Sequence, residues 1–163
     1  MSNLQHPSVM RVRAWLAQAG STAEVIELNE TARSAQDAAD SIGTELGSIV
    51  KSLVFAVAGK PVMALVAGDR QCDTKALAVV LGDAGKAKRA DADLVREATG
   101  FAIGGVAPVA HEQNLPIVID ASLGRFTTVY AAAGHPYCVF ATSLAELARL
   151  TGAEVREDIT KTG

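Results

Sequence analysis

Lys51 is the first residue that could do chemistry. It stands in Ile49-Val50-Lys51-Ser52-Leu53-Val54-Phe55, a run otherwise almost wholly apolar. If that run is a strand, alternation groups Lys51 with Ile49, Leu53, Phe55 and Val57, and Ser52 with Val50, Val54 and Ala56. Lysine is rarely buried without a partner. Its ammonium therefore snorkels from the strand end, pairs with a carboxylate, or offers a fixed cation and donor to an anionic or carbonyl-bearing ligand. The second feature is Gly104-Gly105, followed by Val106-Ala107-Pro108. Paired glycines let main chain approach a ligand closely and turn N–H groups towards it. Such groups hold a phosphate or stabilise the oxyanion formed when an ester is attacked; the same pair also makes a plain tight turn. Neither a Walker Gly-Lys-Ser/Thr nor GxGxxG spacing is present.

Other candidates are single residues. His135, in Gly134-His135-Pro136, falls between two apolar runs, where it orients a substrate, relays a proton, or sits in a surface turn. Asp120 closes Pro116-Ile117-Val118-Ile119 and either holds the lysine or caps a turn. His6 and His111 lack metal-ligand spacing, so neither metal nor cofactor is expected. Cys72 and Cys138 are far apart, which excludes a disulfide framework and points to a reducing compartment. A thiol enzyme built on either remains an alternative. Lys86, Lys88 and Arg89, with Lys60, Arg70 and Lys75 nearby in sequence, form a local basic cluster. It is a solvated face or a meeting place for phosphates.

These residues need elements to position them. Val9, Val12 and Leu16 mark one helical face, opened by Pro7 and closed by Gly20. Glu24–Leu28 reads as a strand, and Ser34 with Asp37 starts a helix that ends at Gly43. Ile49–Ala58 and Pro61–Ala67, separated by Gly59-Lys60, read as a hairpin. Helices are expected over Asp73–Val80 and Asp91–Thr99, the latter stopped by Gly100. Residues 100–108 carry too much Gly and Pro for a regular element, and form a loop of unusually apolar composition. Leu115–Asp120, Thr127–Ala132 and Tyr137–Ala141 follow as strands. Ser143 with Glu146 makes a capping box, and Val155 adds a last strand. Several strand pairs have connections too short for a helix, so a strictly parallel series is not expected. The expected fold is mixed α/β: one mixed sheet curled towards a barrel, with helices packed outside.

Composition agrees. The 163 residues are one domain's worth, with 49% hydrophobic and 20% charged residues, which excludes a disordered chain. Thirty alanines and 4% aromatics imply a core of small side chains. The net charge of −3 excludes a broad nucleic-acid footprint, so such a partner must be gripped locally. No secretory signal or membrane-length apolar run is visible, and a cytoplasmic protein without membrane contact is expected.

Taken in order, Ser48–Phe55, Gly68-Asp69-Arg70, Thr99–Pro108, Ile119-Asp120 and Ala133–Pro136 resemble the YbaK/ProX family of aminoacyl-tRNA deacylases, relatives of the editing domain in bacterial prolyl-tRNA synthetases. The resemblance runs from about Val9 to Leu150. It implies a barrel-like mixed sheet and trans-editing: hydrolysis of the ester of a mischarged tRNA carrying a small amino acid. It implies Lys51, Gly104 and Gly105 as catalytic groups, and Ser52, Val106, Pro108, Asp120, Gly134 and His135 around the substrate. Partners would be the 3′-terminal aminoacyl adenosine and a synthetase. No general base is evident, which suits a substrate-assisted route. Ser52 stands where members closest to the synthetase insertion have asparagine, Ala110 where many relatives have glycine, and Val106-Ala107 where cysteine-clearing members have Cys-Ser. The alternative is a non-catalytic module that binds a tRNA acceptor end or a nucleotide, associated with a synthetase.

Overall fold

The computed structural model describes residues 2–29, 34–83 and 85–162. In chain order they form α1 (Pro7–Gln18), β1 (Val25–Glu27), α2 (Ala35–Ile42), β2 (Ile49–Val57), β3 (Lys60–Ala67), β4 (Arg70–Cys72), α3 (Thr74–Val80) and β5 (Lys88–Arg89). Then come α4 (Ala92–Thr99), β6 (Ile117–Asp120), β7 (Val129–His135), β8 (Cys138–Thr142), α5 (Leu144–Thr151), β9 (Glu154–Arg156) and β10 (Thr160–Thr162).

Helix ends follow side-chain chemistry. Ser34, Asp73, Asp91 and Ser143 each accept a main-chain N–H three residues on, and Gly43, Gly100 and Gly152 close α2, α4 and α5 in the left-handed conformation. The box expected at Ser143 is half formed, because the Glu146 carboxylate turns outward to Arg149. The β2–β3 hairpin turns at Ala58-Gly59, one residue earlier than the sequence suggested. Both residues have positive φ, 51° and 78°, as a two-residue turn matching strand twist requires.

The main sheet runs β1-β8-β7-β2-β3-β6-β9, with β5 added to β2, and curls into a half-barrel. The β2–β7, β3–β6 and β6–β9 pairs are parallel and the others antiparallel. A separate ribbon pairs β4 with β10. These short polar strands escaped the sequence reading because two or three residues show no period. Central β3 is buried on both faces and so reads as continuous Val-Met-Ala-Leu-Val-Ala. One face, with Val50, Val54, Met63 and Leu65, packs beneath α1, α4 and α5. The other, with Phe55, Val62, Ala64 and Val66, packs beneath Leu77 and Ala78 of α3.

Candidate active site

The site begins as a gap in the sheet. On the side of β2 away from β3, β7 pairs only with Ile49 and Val50, and β5 only with Phe55 and Ala56. Residues 51–54 therefore have no strand neighbour there. The Val54 carbonyl accepts from the Ala90 N–H at 3.1 Å on that side. Main-chain direction alternates with a period of two, so the N–H and C=O of Ser52 also face the gap. A cavity of about 280 Å³ opens at this break. Val50, Val54, Val95, Val106 and Val139 wall it, and Lys51, Ser52, Gly104, Arg89 and Ile103 line it too. Among the described residues, none that lines it is acidic.

Lys51 is half-buried on the face it shares with Leu53 and Phe55, and its Nζ donates to the Arg70 carbonyl at 2.5 Å. Burial lowers its pKa and the nearby Arg89 cation lowers it further, while Asp69 and Asp120 act in the opposite sense. Neither carboxylate pairs with it directly. Asp69 is engaged by Arg125 through two hydrogen bonds of 2.9 and 2.8 Å. Asp120 is buried and accepts from the Ala67 N–H, the Ser122 N–H and hydroxyl, and the Thr160 hydroxyl. It lies in a separate cleft with Arg70, Ser122 and Thr160.

The glycine loop is apolar because it is packed rather than solvated. Phe101, Val106, Ala107 and Val109 are buried. Arg11 of α1 braces it: the guanidinium lies 4.9 Å from the Phe101 ring, donates to the Thr99 and Ala110 carbonyls, and pairs with Glu112. His111 Nε2 lies 2.7 Å from the Ala107 carbonyl as its donor, and burial lowers the pKa of this imidazole. Neither brace was visible in the sequence: Arg11 acts across 88 residues or more, and His111, only four residues from Ala107, belongs to no motif.

Within the loop the two glycines differ. Gly105 donates its N–H to the Ala102 carbonyl, and a Cβ there would meet the His135 main chain at 2.9 Å. It is the point where the loop presses on the β7–β8 turn. Gly104, at φ +95°, lines the cavity. Among the described residues, the N–H groups of Gly104 and Val106 have no hydrogen-bond partner. Ser52 Oγ is likewise buried and unpartnered.

Lys51, Ser52, Gly104 and Val106 thus share the cavity. Gly105 and buried Pro108 lie behind it, within the loop. Gly134 and His135 also stand outside the lining, although Pro136 belongs to it. Gly134 is pressed against α1, where a Cβ would meet the Ser8 carbonyl oxygen at 2.6 Å. His135 Nδ1 accepts from the Tyr137 N–H, and its ring neighbours those of His6 and Tyr137. In the sequence Arg89 is marked only as part of a basic cluster, and Ile103 only as part of the apolar loop.

The broken edge of the half-barrel thus opens on a largely apolar hollow lined, among the described residues, by Lys51 and by Gly104 and Val106 with their unpartnered N–H groups, so it can offer a cation and main-chain donors to a ligand. The aminoacyl-tRNA editing domain family matches residues 29–150, and the chain belongs to that family. The Bacillus subtilis protein YwhH, itself uncharacterised, is 32% identical over 155 residues, spanning 94% of this chain and 98% of that protein. EbsC of Enterococcus faecalis, named as a candidate Cys-tRNA(Pro)/Cys-tRNA(Cys) deacylase, is 28% identical over 78% of each chain. A crystal structure described as a candidate trans-editing enzyme for prolyl-tRNA synthetase superposes with a TM-score of 0.88 and 40% identity, covering 96% of this chain and 98% of that one.

Proposed function

We propose that the protein is a trans-editing deacylase that hydrolyses the ester of tRNAs charged with a wrong, small amino acid. The observation that carries this reading is that Gly104 and Val106, whose N–H groups have no hydrogen-bond partner among the described residues, line the same cavity as Lys51. An aminoacyl ester is already activated, and fixed donors aimed at the developing oxyanion contribute about 10²–10³ in rate each. Water adds to the ester carbonyl, the two N–H groups take the charge on its oxygen, and Lys51 steadies the ester or its adjoining phosphate. The bond to the ribose oxygen then breaks, that oxygen takes a proton, and free amino acid and tRNA leave.

Among the described residues, no carboxylate or imidazole lines the cavity. The proton of the attacking water therefore passes to the substrate, through the neighbouring ribose hydroxyl. Ser52 Oγ and its main chain meet the amino acid. Valine walls select a small side chain by size, at about 1–3 kcal/mol for each excess methylene. Gly105, Pro108, Gly134 and His135 fix the loop, and Asp120 anchors the end of β3 near Lys51. Such an enzyme works in the cytoplasm, where tRNA is charged, alone or docked on a synthetase.

The test is release of labelled amino acid from a panel of mischarged tRNAs by the wild type and Lys51→Ala. Release of one or a few small amino acids, reduced in the variant, is expected. No release from any tRNA, with binding retained, would make the protein a binding module. Equal rates would remove Lys51 from the mechanism.

A further inference from the structure

The lip of the cavity carries a cation that the hydrolysis does not use. Arg89 pairs with Phe55 across β5 and β2, and its guanidinium lies 5.7 Å from the centre of the Phe55 ring. Phe55 is only 2% exposed, so the ring is a fixed platform that holds the planar cation in place. Arg89 is exposed and lines the cavity. Among the described residues it has no carboxylate at ion-pair distance, whereas Arg11, Arg125 and Arg149 each have one and Arg156 has two. Lys88 and Lys86 extend the charge over the surface, exposed and equally free of ion pairs among the described residues.

Two cationic residues therefore line one hollow that has no acidic lining among the described residues. The Arg89 cation disfavours the charge on Lys51. An anion entering between them relieves that repulsion. Ile103 adds a different surface: it also lines the cavity beside Gly104, yet is 55% exposed. A cationic track beside an apolar platform is what a single-stranded nucleic acid needs, with phosphates on the first and a base on the second. A duplex would call for a helix or ribbon that enters a groove, and an acidic peptide would leave Ile103 without a role.

We infer that Arg89, with Lys88 and Lys86 behind it, grips the phosphodiesters of a single-stranded RNA 3′ end and leads that end past Ile103 into the cavity. The choice of RNA rests on the editing reading, while the grip itself is tested without turnover. The probe is an uncharged RNA oligonucleotide with the single-stranded 3′ sequence of tRNA, its Kd measured across a potassium chloride series. Binding by the wild type should weaken linearly on logarithmic axes as salt rises, because phosphate contacts release counterions.

Arg89→Gln should bind more weakly and lower the magnitude of that slope by about 0.7, the value for one contact on a single strand. Arg89→Lys should restore the slope. Lys60→Gln, which removes an exposed lysine on β3, across β2 from β5 and outside the cavity lining, should leave it unchanged. Matching thermal melts confirm that the variants are folded. An unchanged slope in Arg89→Gln, an equal drop in Lys60→Gln, or no RNA binding by the wild type would overturn the inference. A failure of the editing reading shows up elsewhere, as wild-type protein that binds the oligonucleotide but releases no amino acid from any charged tRNA.

Discussion

Gly105→Ala tests whether the loop must lie where it does. Gly105 lacks the positive φ that would strain alanine, so the perturbation is steric. The new Cβ would lie 2.9 Å from both Cα and N of His135, and 3.0 Å from the Gly134 carbonyl carbon. Ordinary contact starts at 3.4 Å, so the loop and the turn must part by about 3.4 − 2.9 = 0.5 Å. All three neighbours are main-chain atoms and cannot rotate aside. Nor can the turn recede, because Gly134 is itself pressed against Ser8 and Val9 of α1. The loop must move, and it takes the N–H groups of Gly104 and Val106 with it. A misplacement of 1 Å costs about 10²-fold in rate, so half of that costs about tenfold, and more if one donor is lost outright. Overpacking of this kind also costs about 1–3 kcal/mol of stability. We expect kcat for deacylation to fall about 10- to 100-fold, with a lower urea midpoint and an unchanged m-value. A variant with kcat within about twofold of wild type, folded and equally stable, would refute the claim that this contact positions the donors.

Ala110 has φ +66°, a conformation that costs an L-residue about 1–2 kcal/mol. Ala110→Gly removes that strain but adds chain entropy to the unfolded state, so urea unfolding should show a gain of up to about 1 kcal/mol with turnover unaltered; a loss of stability would show that the Ala110 methyl contributes packing that outweighs the strain. The Cys72 and Cys138 thiols are both pushed up to about 11, mainly by burial. A higher folded pKa keeps them protonated where a free thiol ionises, so at pH 8 the thiolate fraction, and iodoacetamide labelling with it, should fall about 100-fold below that of the urea-unfolded chain. Labelling of the folded protein as fast as the unfolded would mean that either thiol is exposed and activated, and would revive a thiol enzyme.

Much of this was legible because the chain punctuates itself. Ser34, Asp73, Asp91 and Ser143 announce helix starts, and Gly43, Gly100 and Gly152 announce ends, through local hydrogen bonds that a sequence displays. Lys51 and Gly104 stood out because each breaks its surroundings, a charge in an apolar strand and a glycine pair in an apolar loop. Their braces did not stand out. Arg11 meets the loop across a separation of 99 residues, and nothing near it in the sequence marks the contact. Asp120 illustrates the reverse. Of the two roles left open for it, it takes the capping one, because four hydroxyl or N–H groups satisfy its carboxylate before any lysine does.

The break in β2 pairing explains how residues pointing to opposite sides of a sheet come to share one hollow. Lys51 shares its face with Phe55, and Ser52 shares its own with Val54, and across an intact sheet such neighbours never meet one ligand. Here β7 leaves β2 after Val50 and β5 joins only at Phe55, so the strand's edge is itself part of the cavity wall. A ligand in the gap can touch the lysine from one face, the serine from the other, and the main chain between them. Extending either neighbouring strand across residues 51–54 would close the gap with ladder hydrogen bonds and separate the two faces. The short length of β5, which hid it from a sequence reading, is therefore the feature that leaves the site open.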